Sequence, residues 1–344
     1  MPRISRICGT FIAALTFLAV IQVSACKQQT AKRDEPPRAQ ERPVTEPPAV
    51  LWQDRRDISA LNLFDGPGGK QHAPRENDTY KFIKEDLNNT SPKFYAEDSE
   101  GVKWLVKTGE EARPETVATR LVWSMGYFAD EDYYVKSIKV SGLPILKRGQ
   151  TEALPDSTVM GARLKREEND KKVANWDWTD NPFVGTKELN GLRVIMALIN
   201  NWDLTTANNK ILNPTSTERR YVVSDLGASL GRTGEYSTRS KGIAKDFSES
   251  EFIEQTDGEF VDFRMATRPS LWKLRYPAYY KMRTDIGKVA KHVPRADAKW
   301  MGQQLSRLTP GQMRDAFRAA GYTPADIEAY AQAIQARITA LLAL

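Results

Sequence analysis

The segment that most constrains the fold of this chain is an apolar helical pattern that ends in an unusually polar loop. Residues 187–199 repeat apolar side chains at helical spacing, and the repeat stops at Asn200 and Asn201. The loop that follows, NNWDLTTANNK at residues 200–210, holds four Asn, one Asp and one Trp. An ordinary turn uses about one or two such side chains. We therefore expect a buried helix whose C-terminal loop does more than reverse the chain.

Two short strands and a second acidic loop are predicted directly after this loop. Residues 210–212 and 220–224 have strand composition and flank the turn-rich sequence NPTSTE. The second strand runs into Asp225-Leu-Gly. The C-terminal third has three helical patterns, at residues 295–307, 310–320 and 324–343. The last two begin at Thr-Pro pairs. The sequence thus predicts a helical region in which a hairpin joins two acidic loops.

The N-terminal half has the composition of a small sheet followed by one helix. Three strand-like segments with turn-rich connectors predict an antiparallel meander over residues 79–86, 93–98 and 102–107. Lys107 is the last residue of the third strand. The sequence ARPETVATRLVWSMGY then predicts an amphipathic helix with Pro114 at its start. Residues 132–140 predict one more strand, whereas residues 149–186 have no assignable pattern.

The first 50 residues are expected to be a targeting segment and a tether. Two Arg precede an apolar run that ends in VSAC, which is the layout of a secretory signal peptide with a lipobox. Residues 1–25 would be the signal peptide and Cys26 the lipidated first residue of the mature chain. A transmembrane anchor is the weaker alternative because the apolar run is short and interrupted. Residues 26–50 are rich in Pro and charge, which predicts a disordered tether. We therefore expect an exported, membrane-anchored lipoprotein on the periplasmic or outer face.

Composition argues against several kinds of site. The formal net charge is +6, but acidic and basic residues are interspersed, so no basic face for nucleic acid is predicted. Cys8 would leave with the signal peptide, and Cys26 would carry lipid. Neither His72 nor His292 has a second ligand at metal-binding spacing. Disulfides, a zinc site and a Ser-His-Asp triad are therefore not expected.

The order of these elements resembles the protein-kinase-like fold. WDLTTANN resembles the kinase catalytic loop, in which an Asp is followed five positions later by an Asn, here Asp203 and Asn208. SDLG resembles the metal-binding motif, which makes Asp225 its acid. The resemblance implies a two-lobed α+β fold. An antiparallel-sheet N-lobe would cover residues 51–145, and a mainly helical C-lobe would cover residues 146–344.

The resemblance also implies a role for each residue of the two loops. Asp225 and Asn208 would supply oxygen ligands to Mg²⁺ or Mn²⁺, bound together with ATP or another nucleotide. Asp203 would orient an acceptor hydroxyl and take its proton. Each residue has a structural alternative as well. Asp203 and Asn208 could cap a turn through side-chain hydrogen bonds, and Asp225 could be a turn residue at a strand end.

The cation that the resemblance assigns to the nucleotide phosphates is Lys107, held by a Glu of the next helix. Glu115 is the best match for that Glu. Because Glu115 falls at the very start of the predicted helix, Glu110 or Glu111 is an alternative partner. Lys107 could also be a solvated charge on an edge strand.

The chain departs from ordinary protein kinases in three ways. NWD replaces their His-Arg-Asp sequence, Lys107 and Glu115 are closer in sequence than usual, and no Gly-x-Gly-x-x-Gly lies between the first two strands. The sequence LNNTSP, at residues 87–92, occupies that place and is either a phosphate-contacting loop or a plain hairpin turn. These differences point to the atypical relatives, such as HipA-type, CotH-type or phosphoinositide kinases.

Three functions are compatible with these features. The first is an exported, lipid-anchored atypical kinase that transfers a phosphoryl or nucleotidyl group to a hydroxyl of a protein, lipid or glycan. The second is a pseudokinase that serves as a ligand- or partner-binding module; the presence of both Asn208 and Asp225 argues against it. The third is a non-enzymatic surface lipoprotein whose C-terminal helices bind a partner. The expected partners are a nucleotide, an unknown acceptor and a membrane, with no nucleic acid.

Overall fold

The computed structural model describes residues 46–167, 171–215, 217–234, 239–265 and 272–344. The predicted signal peptide, Cys26 and most of the predicted tether lie outside these ranges. Within the ranges, no helix is long and apolar enough to cross a membrane.

Strands predominate in the first half of the described chain and helices in the second. The strands are β1 (Ala49–Val50), β2 (Thr79–Glu85), β3 (Lys93–Glu97), β4 (Lys103–Lys107), β5 (Phe128–Ala129), β6 (Asp132–Ser141), β7 (Thr158–Arg166), β8 (Lys171–Ala174), β9 (Asn209–Thr215), β10 (Glu218–Val223), β11 (Ile253–Thr256), β12 (Phe260–Phe263) and β13 (Val293–Pro294). The helices are α1 (Ala112–Ser124), α2 (Lys187–Leu198), α3 (Ala244–Glu249), α4 (Trp272–Arg275), α5 (Pro277–Lys288), α6 (Arg295–Leu305), α7 (Pro310–Ala319) and α8 (Pro324–Ala343). The predicted α+β fold class is confirmed.

Five strands close into a barrel in the order β2-β3-β4-β7-β6. β2, β3 and β4 form the predicted antiparallel meander. β7 pairs antiparallel with both β4 and β6, and β6 pairs parallel with β2, which completes the barrel. β7 lies in the stretch that had no assignable sequence pattern. The sheet lobe therefore extends to Arg166, and the lobe boundary predicted at residue 145 must be moved by one strand.

Helix α1 packs on the barrel strands β6 and β7 and on helix α7. Its predicted apolar positions are buried; they are Val117, Ala118, Leu121, Val122 and Met125. The helix begins at Ala112, two residues before Pro114, because Pro is tolerated in the first helical turn. This earlier start places Glu111 at the N-terminus of the helix and Glu115 in its first turn.

Helix α2 lies in the main hydrophobic core and packs against α6. The predicted apolar stripe is buried; it comprises Leu189, Leu192, Ile195, Met196 and Ile199. Thr186 caps the helix, since its hydroxyl accepts a hydrogen bond from the Leu189 N–H at 3.2 Å. Because α2 is buried in the core, its C-terminal end holds the first residues of the polar loop in a defined position.

The hairpin of β9 and β10 joins the two acidic loops as predicted. It lies in a sheet of order β1-β10-β9-β8, to which β5 is added by parallel pairing with β10. β1 also pairs parallel with β10, so the last two residues of the predicted tether form a strand. Lys210 on β9 forms an ion pair with Asp130, just before β6, at 2.5 Å. Contacts of this kind connect the helical lobe to the barrel.

The three C-terminal helices α6, α7 and α8 lie where the sequence predicts them. At the start of α7, the Thr309 hydroxyl accepts from the Gln312 N–H, and the Gln312 side chain accepts from the Thr309 N–H. Thr323 caps α8, which has Pro324 in its first turn. Both Thr-Pro pairs are therefore helix starts.

Candidate active site

Lys107 lies at the end of β4, next to the N-terminus of α1 and the loop that follows β10. Its buried ammonium is within ion-pair distance of three carboxylates, those of Glu115 at 2.8 Å, Glu111 at 3.1 Å and Asp225 at 2.5 Å. Lys107 and Asp225 are 118 positions apart in the sequence. The fold thus brings Lys107, Glu115 and Asp225 together, and Lys107 is not a solvated edge charge.

Glu115 is the interior partner of Lys107. Only 1% of its surface is exposed, and Arg163 on β7 donates a hydrogen bond to it at 2.9 Å. Arg163 is in turn 3.5 Å from the buried carboxylate of Asp132 on β6. A chain of alternating charges therefore runs from Lys107 through Glu115 and Arg163 to Asp132, inside the sheet lobe.

Glu111 is the second helix partner of Lys107 and lies nearer the cleft. One carboxylate oxygen accepts a hydrogen bond from the Ser91 hydroxyl at 2.6 Å, and the other pairs with Lys241 at 2.5 Å. Glu110, the third candidate, lines a different cavity. Of the three candidate glutamates, two pair with Lys107 at the same time, namely Glu115 and Glu111.

The charges in this cluster keep Lys107 and Glu111 ionised. Burial opposes the charge on Lys107, but Glu115 and Asp225 outweigh it and raise the pKa of Lys107 above its ordinary value. Burial also opposes the charge on Glu111, but Lys107 and Lys241 lower the pKa of Glu111 to about 2. Lys107 is thus a fixed positive charge at neutral pH.

Asp203 and Asn208 contact each other in the loop after α2. The Asn208 side-chain amide donates to the Asp203 carbonyl at 2.8 Å and to its carboxylate at 3.3 Å. The N–H and hydroxyl of Ser224 both donate to the Asn208 carbonyl at 2.9 Å, which ties this loop to the segment that carries Asp225. Burial, together with the charge of Asp225, raises the pKa of Asp203. Asp203 is therefore a stronger proton acceptor than an exposed Asp.

The other three Asn of this loop hold its backbone in place. All three are buried, and each has a backbone partner: the Gly231 carbonyl for Asn200, the Asp203 N–H for Asn201 and the Trp176 carbonyl for Asn209. Buried backbone groups require such partners. The unusual polarity of the loop is thus explained by anchoring side chains that surround one partly buried acid.

Asp225 has a backbone conformation that is uncommon for a residue with a side chain. Its φ is +54°, in the left-handed region. Such conformations persist where the surrounding structure enforces them and are concentrated at functional sites. Two residues later the chain passes against α1, since a Cβ on Gly227 would lie 2.5 Å from the Glu111 Cβ. This tight path directs the Asp225 carboxylate towards Lys107.

Asp203, Asn208 and Asp225 line one cavity of about 230 Å³. The β2–β3 turn contributes Asn89, Thr90 and Ser91 to its wall, and α1 contributes Glu111. The LNNTSP sequence is therefore a hairpin turn that also faces the acidic loops.

The donor groups of this cavity fit a hard divalent cation. The carboxylates of Asp203 and Asp225 and the amide oxygen of Asn208 are the ligand types that Mg²⁺ and Mn²⁺ prefer. The three carboxylates around Lys107 also have oxygens within 4.8 Å of one another. The ammonium of Lys107 already lies among those three carboxylates, however. The cavity that Asn208 and Asp225 both line is therefore a better place for a cation than the interior of that cluster.

Three charged residues near the site were missed by the sequence analysis. Arg163 lies on β7 in the unassigned stretch, where the alternating pattern of TVMGARLKR could have indicated a strand. Lys93 lies opposite Lys107 in the β3–β4 pairing, and burial lowers its pKa. Lys241 lies in the long polar segment after Asp225, and no sequence signal connects it to Glu111.

No protein-family model matches this sequence, and no curated protein is similar enough to count as a relative. Among solved structures, a Helicobacter pylori proinflammatory kinase, CtkA, is similar with a TM-score of 0.46 and 10% identity, covering 77% of this chain and 97% of that chain. The Golgi casein kinase with Mn/ADP bound has a TM-score of 0.41 and 9% identity over 77% of this chain and 71% of that chain. Another structure of the Golgi casein kinase has a TM-score of 0.40 and 9% identity over 85% of this chain and 76% of that chain.

The fold is a two-lobed α+β fold. It has a sheet lobe that carries Lys107, a helical lobe that carries Asp203 and Asn208, and a hairpin that leads to Asp225. With identities of 9–10% and TM-scores of 0.40–0.46, these similarities assign neither a family nor an activity to this chain.

Proposed function

We propose that this protein is an atypical kinase that transfers a phosphoryl group from a metal-bound nucleotide to a hydroxyl acceptor. The observation that carries the proposal is the convergence of two loops and one strand. Asp203, Asn208 and Asp225 line one cavity, and Lys107 contacts Asp225 beside it. Phosphoryl transfer depends mainly on positioning and on electrostatic stabilisation, for which such fixed charges are suited. Turn caps and surface charges would not need to meet in this way.

Different charged and polar residues are assigned to the phosphates and to the metal ion of the nucleotide complex. Lys107 binds phosphate oxygens, while Glu115 and Glu111 hold its ammonium in place. Asp225 and Asn208 would hold Mg²⁺ or Mn²⁺, which when bound neutralises phosphate charge. The Ser91 hydroxyl, now donating to Glu111, lies on the same cavity wall and is available to a phosphate oxygen.

Asp203 acts on the acceptor. Its carboxylate lines the cavity, and its raised pKa favours acceptance of a proton from a hydroxyl. The Asn208 side chain donates hydrogen bonds to Asp203, and the Asp203 N–H donates one to the Asn201 side chain; together they fix the orientation of the Asp203 backbone and side chain. Orientation of the attacking hydroxyl and removal of its proton are therefore assigned to one residue.

Binding of a metal-nucleotide complex should raise the melting temperature of the purified protein. A ligand that binds only the native state at a hundredfold excess over its Kd adds about 2.7 kcal/mol of stability. We expect Asp225→Asn to abolish this stabilisation because it removes a charged ligand, and Asp203→Asn to retain it. The measurement is a thermal unfolding curve with and without nucleotide and Mg²⁺ or Mn²⁺.

Asp54→Asn, at an exposed position far along the chain from both loops, is the matched control and should retain the full shift. Absence of any shift in the wild-type protein at millimolar nucleotide would refute nucleotide binding and with it both the kinase and the pseudokinase. A normal shift without phosphoryl transfer to any acceptor would instead identify a pseudokinase.

We also propose that the protein is exported and lipid-anchored at Cys26, so that its acceptor is a protein, lipid or glycan outside the cytoplasm. The support is the sequence alone, in which two Arg, an apolar run and VSAC precede a Pro-rich tether. Cells grown with a labelled fatty acid should incorporate the label into the wild-type chain, and Cys26→Ser should abolish it. Cys8→Ser, in the part removed with the signal peptide, should leave the labelling unchanged. Equal labelling of the Cys26 variant would contradict the proposed anchor.

A further inference from the structure

A second cavity, of about 870 Å³, is separated from the cleft by the ion pair of Glu111 with Lys241. Its walls are the start of α1, strands β6 and β7, residues 239–243 and the turn before α8. A cavity of this volume has the size of a small-molecule site. We propose that it binds a small polyanion that carries two or more phosphoryl or carboxylate groups. The proposal does not depend on the kinase activity.

Cationic side chains outnumber acidic ones on the wall of this cavity. The cations are Arg113, Lys136, Arg239 and Lys241, and the acids are Glu110 and Glu152. In the part of the chain that the structure describes, neither Arg113 nor Lys136 forms an ion pair. A concave surface lined by an excess of one charge raises the local concentration of the opposite ion. The complementary ligand is therefore an anion with more than one charged group.

Arg113 is held in a position suited to anion binding. Its guanidinium lies 5.4 Å from the centroid of the Tyr134 ring and 5.8 Å from that of Tyr322, and its Nε donates to the Tyr134 hydroxyl at 3.2 Å. Gly321 leaves room for this arrangement, since a Cβ there would lie 2.6 Å from the Tyr134 ring. A guanidinium oriented by aromatic rings keeps N–H groups for bidentate contacts with phosphoryl or carboxylate oxygens.

Lys241 connects this cavity to Lys107. Its ammonium pairs with one oxygen of Glu111, whose other oxygen is 3.1 Å from the Lys107 ammonium. It also lies 5.3 Å from the centroid of the Trp202 ring, next to Asp203. A polyanion that attracts Lys241 competes with Glu111 for it. Occupation of the cavity therefore strengthens the interaction that remains between Glu111 and Lys107.

The probe for this site is inorganic tripolyphosphate, titrated calorimetrically into the full-length protein without divalent cations. We expect one binding site per chain and affinity that falls as salt rises, because the contacts are ionic. Arg113→Gln combined with Lys136→Gln should weaken binding at least tenfold. Lys245→Gln removes an exposed charge outside the cavity and should have no more than a twofold effect.

Two further variants separate this site from the cleft and test its connection to Lys107. Asp225→Asn should bind tripolyphosphate at least as tightly as the wild type, since the acid lies in the other cavity. Glu111→Gln should tighten binding severalfold, because Lys241 then loses its competing carboxylate. Absence of binding at millimolar tripolyphosphate, or binding that the double variant leaves unchanged, would overturn the proposal. Failure here would leave the nucleotide-dependent thermal shift intact, so the two proposals fail separately.

Discussion

Replacing Asp203 with Asn should lower the rate constant of phosphoryl transfer by about 10²- to 10⁴-fold, the usual contribution of a general base. The substitution preserves the size of the side chain and its ability to accept a hydrogen bond from Asn208. It removes the group that takes the proton of the acceptor hydroxyl. Because Asp203 is assigned no phosphate contact, nucleotide affinity should change little. Single-turnover transfer to an acceptor, compared with equilibrium nucleotide binding, measures the two effects separately.

The control for this variant is Asp180→Asn, at an exposed position in the loop before α2. Its transfer rate should equal that of the wild type, because Asp180 is exposed and does not line the cavity that holds Asp203. A transfer rate for the Asp203 variant that equals the wild-type rate would show that the acceptor loses its proton elsewhere. A parallel loss of nucleotide affinity would show that Asp203 belongs to the cation ligands and is not a separate proton acceptor.

Residues whose roles follow from local pattern could be predicted from the sequence. The apolar stripe of α2 shows where the helix ends. Asp203 and Asn208 are therefore predicted to lie in the loop that follows its C-terminus. Strand composition on both sides of NPTSTE then predicts a hairpin, and a hairpin returns the chain to its starting edge. The predicted hairpin returns the chain towards the loop of Asp203, but the sequence predicted that Asp225 and Asp203 share one site only through the resemblance to kinases.

Residues whose positions depend on long-range pairing could not be predicted in this way. β7 follows a polar stretch, and its pairing with β4 and β6 is decided by closure of the barrel and not by local composition. Glu111 became a partner of Lys107 because α1 starts at Ala112, and helix ends are the least certain part of a sequence assignment. The contact of Lys241 with Glu111 depends on the path of a polar segment with no periodic pattern. Tertiary packing decides all three.

Buried charge in the sheet lobe connects its stability to its function. Arg163 lies between two buried carboxylates, those of Glu115 and Asp132, and burial raises the pKa of Asp132 despite the neighbouring guanidinium. Glu115 in turn holds Lys107. The cation that faces the phosphates is therefore positioned through β7, the strand that closes the barrel. A buried ion pair adds little to stability in itself but costs much when one partner is removed.

Replacing Arg163 with Met should lower the free energy of unfolding by about 3–5 kcal/mol, the usual cost of breaking a buried ion pair by removing one partner. Met fills most of the space of the Arg side chain, so the loss of stability measures removal of the cation from beside Glu115 and Asp132 and not a loss of packing. We expect Glu115 then to interact with Lys107 alone, and the buried Asp132 to take up a proton. Urea denaturation followed by circular dichroism measures the change in unfolding free energy.

Arg166→Met is the matched control, because Arg166 lies on the same strand but is only partly buried. It should change the unfolding free energy by no more than about 0.5 kcal/mol. A second variant, in which Arg163→Met is combined with Asp132→Asn, replaces the buried carboxyl group that must take up a proton in the single variant, and should recover part of the loss. Non-additivity of this kind is expected for residues that share one charge network. Equal destabilisation by the Arg163 and Arg166 variants, with no recovery in the double variant, would mean that the strand tolerates loss of its buried cation and that Lys107 is positioned by α1 alone.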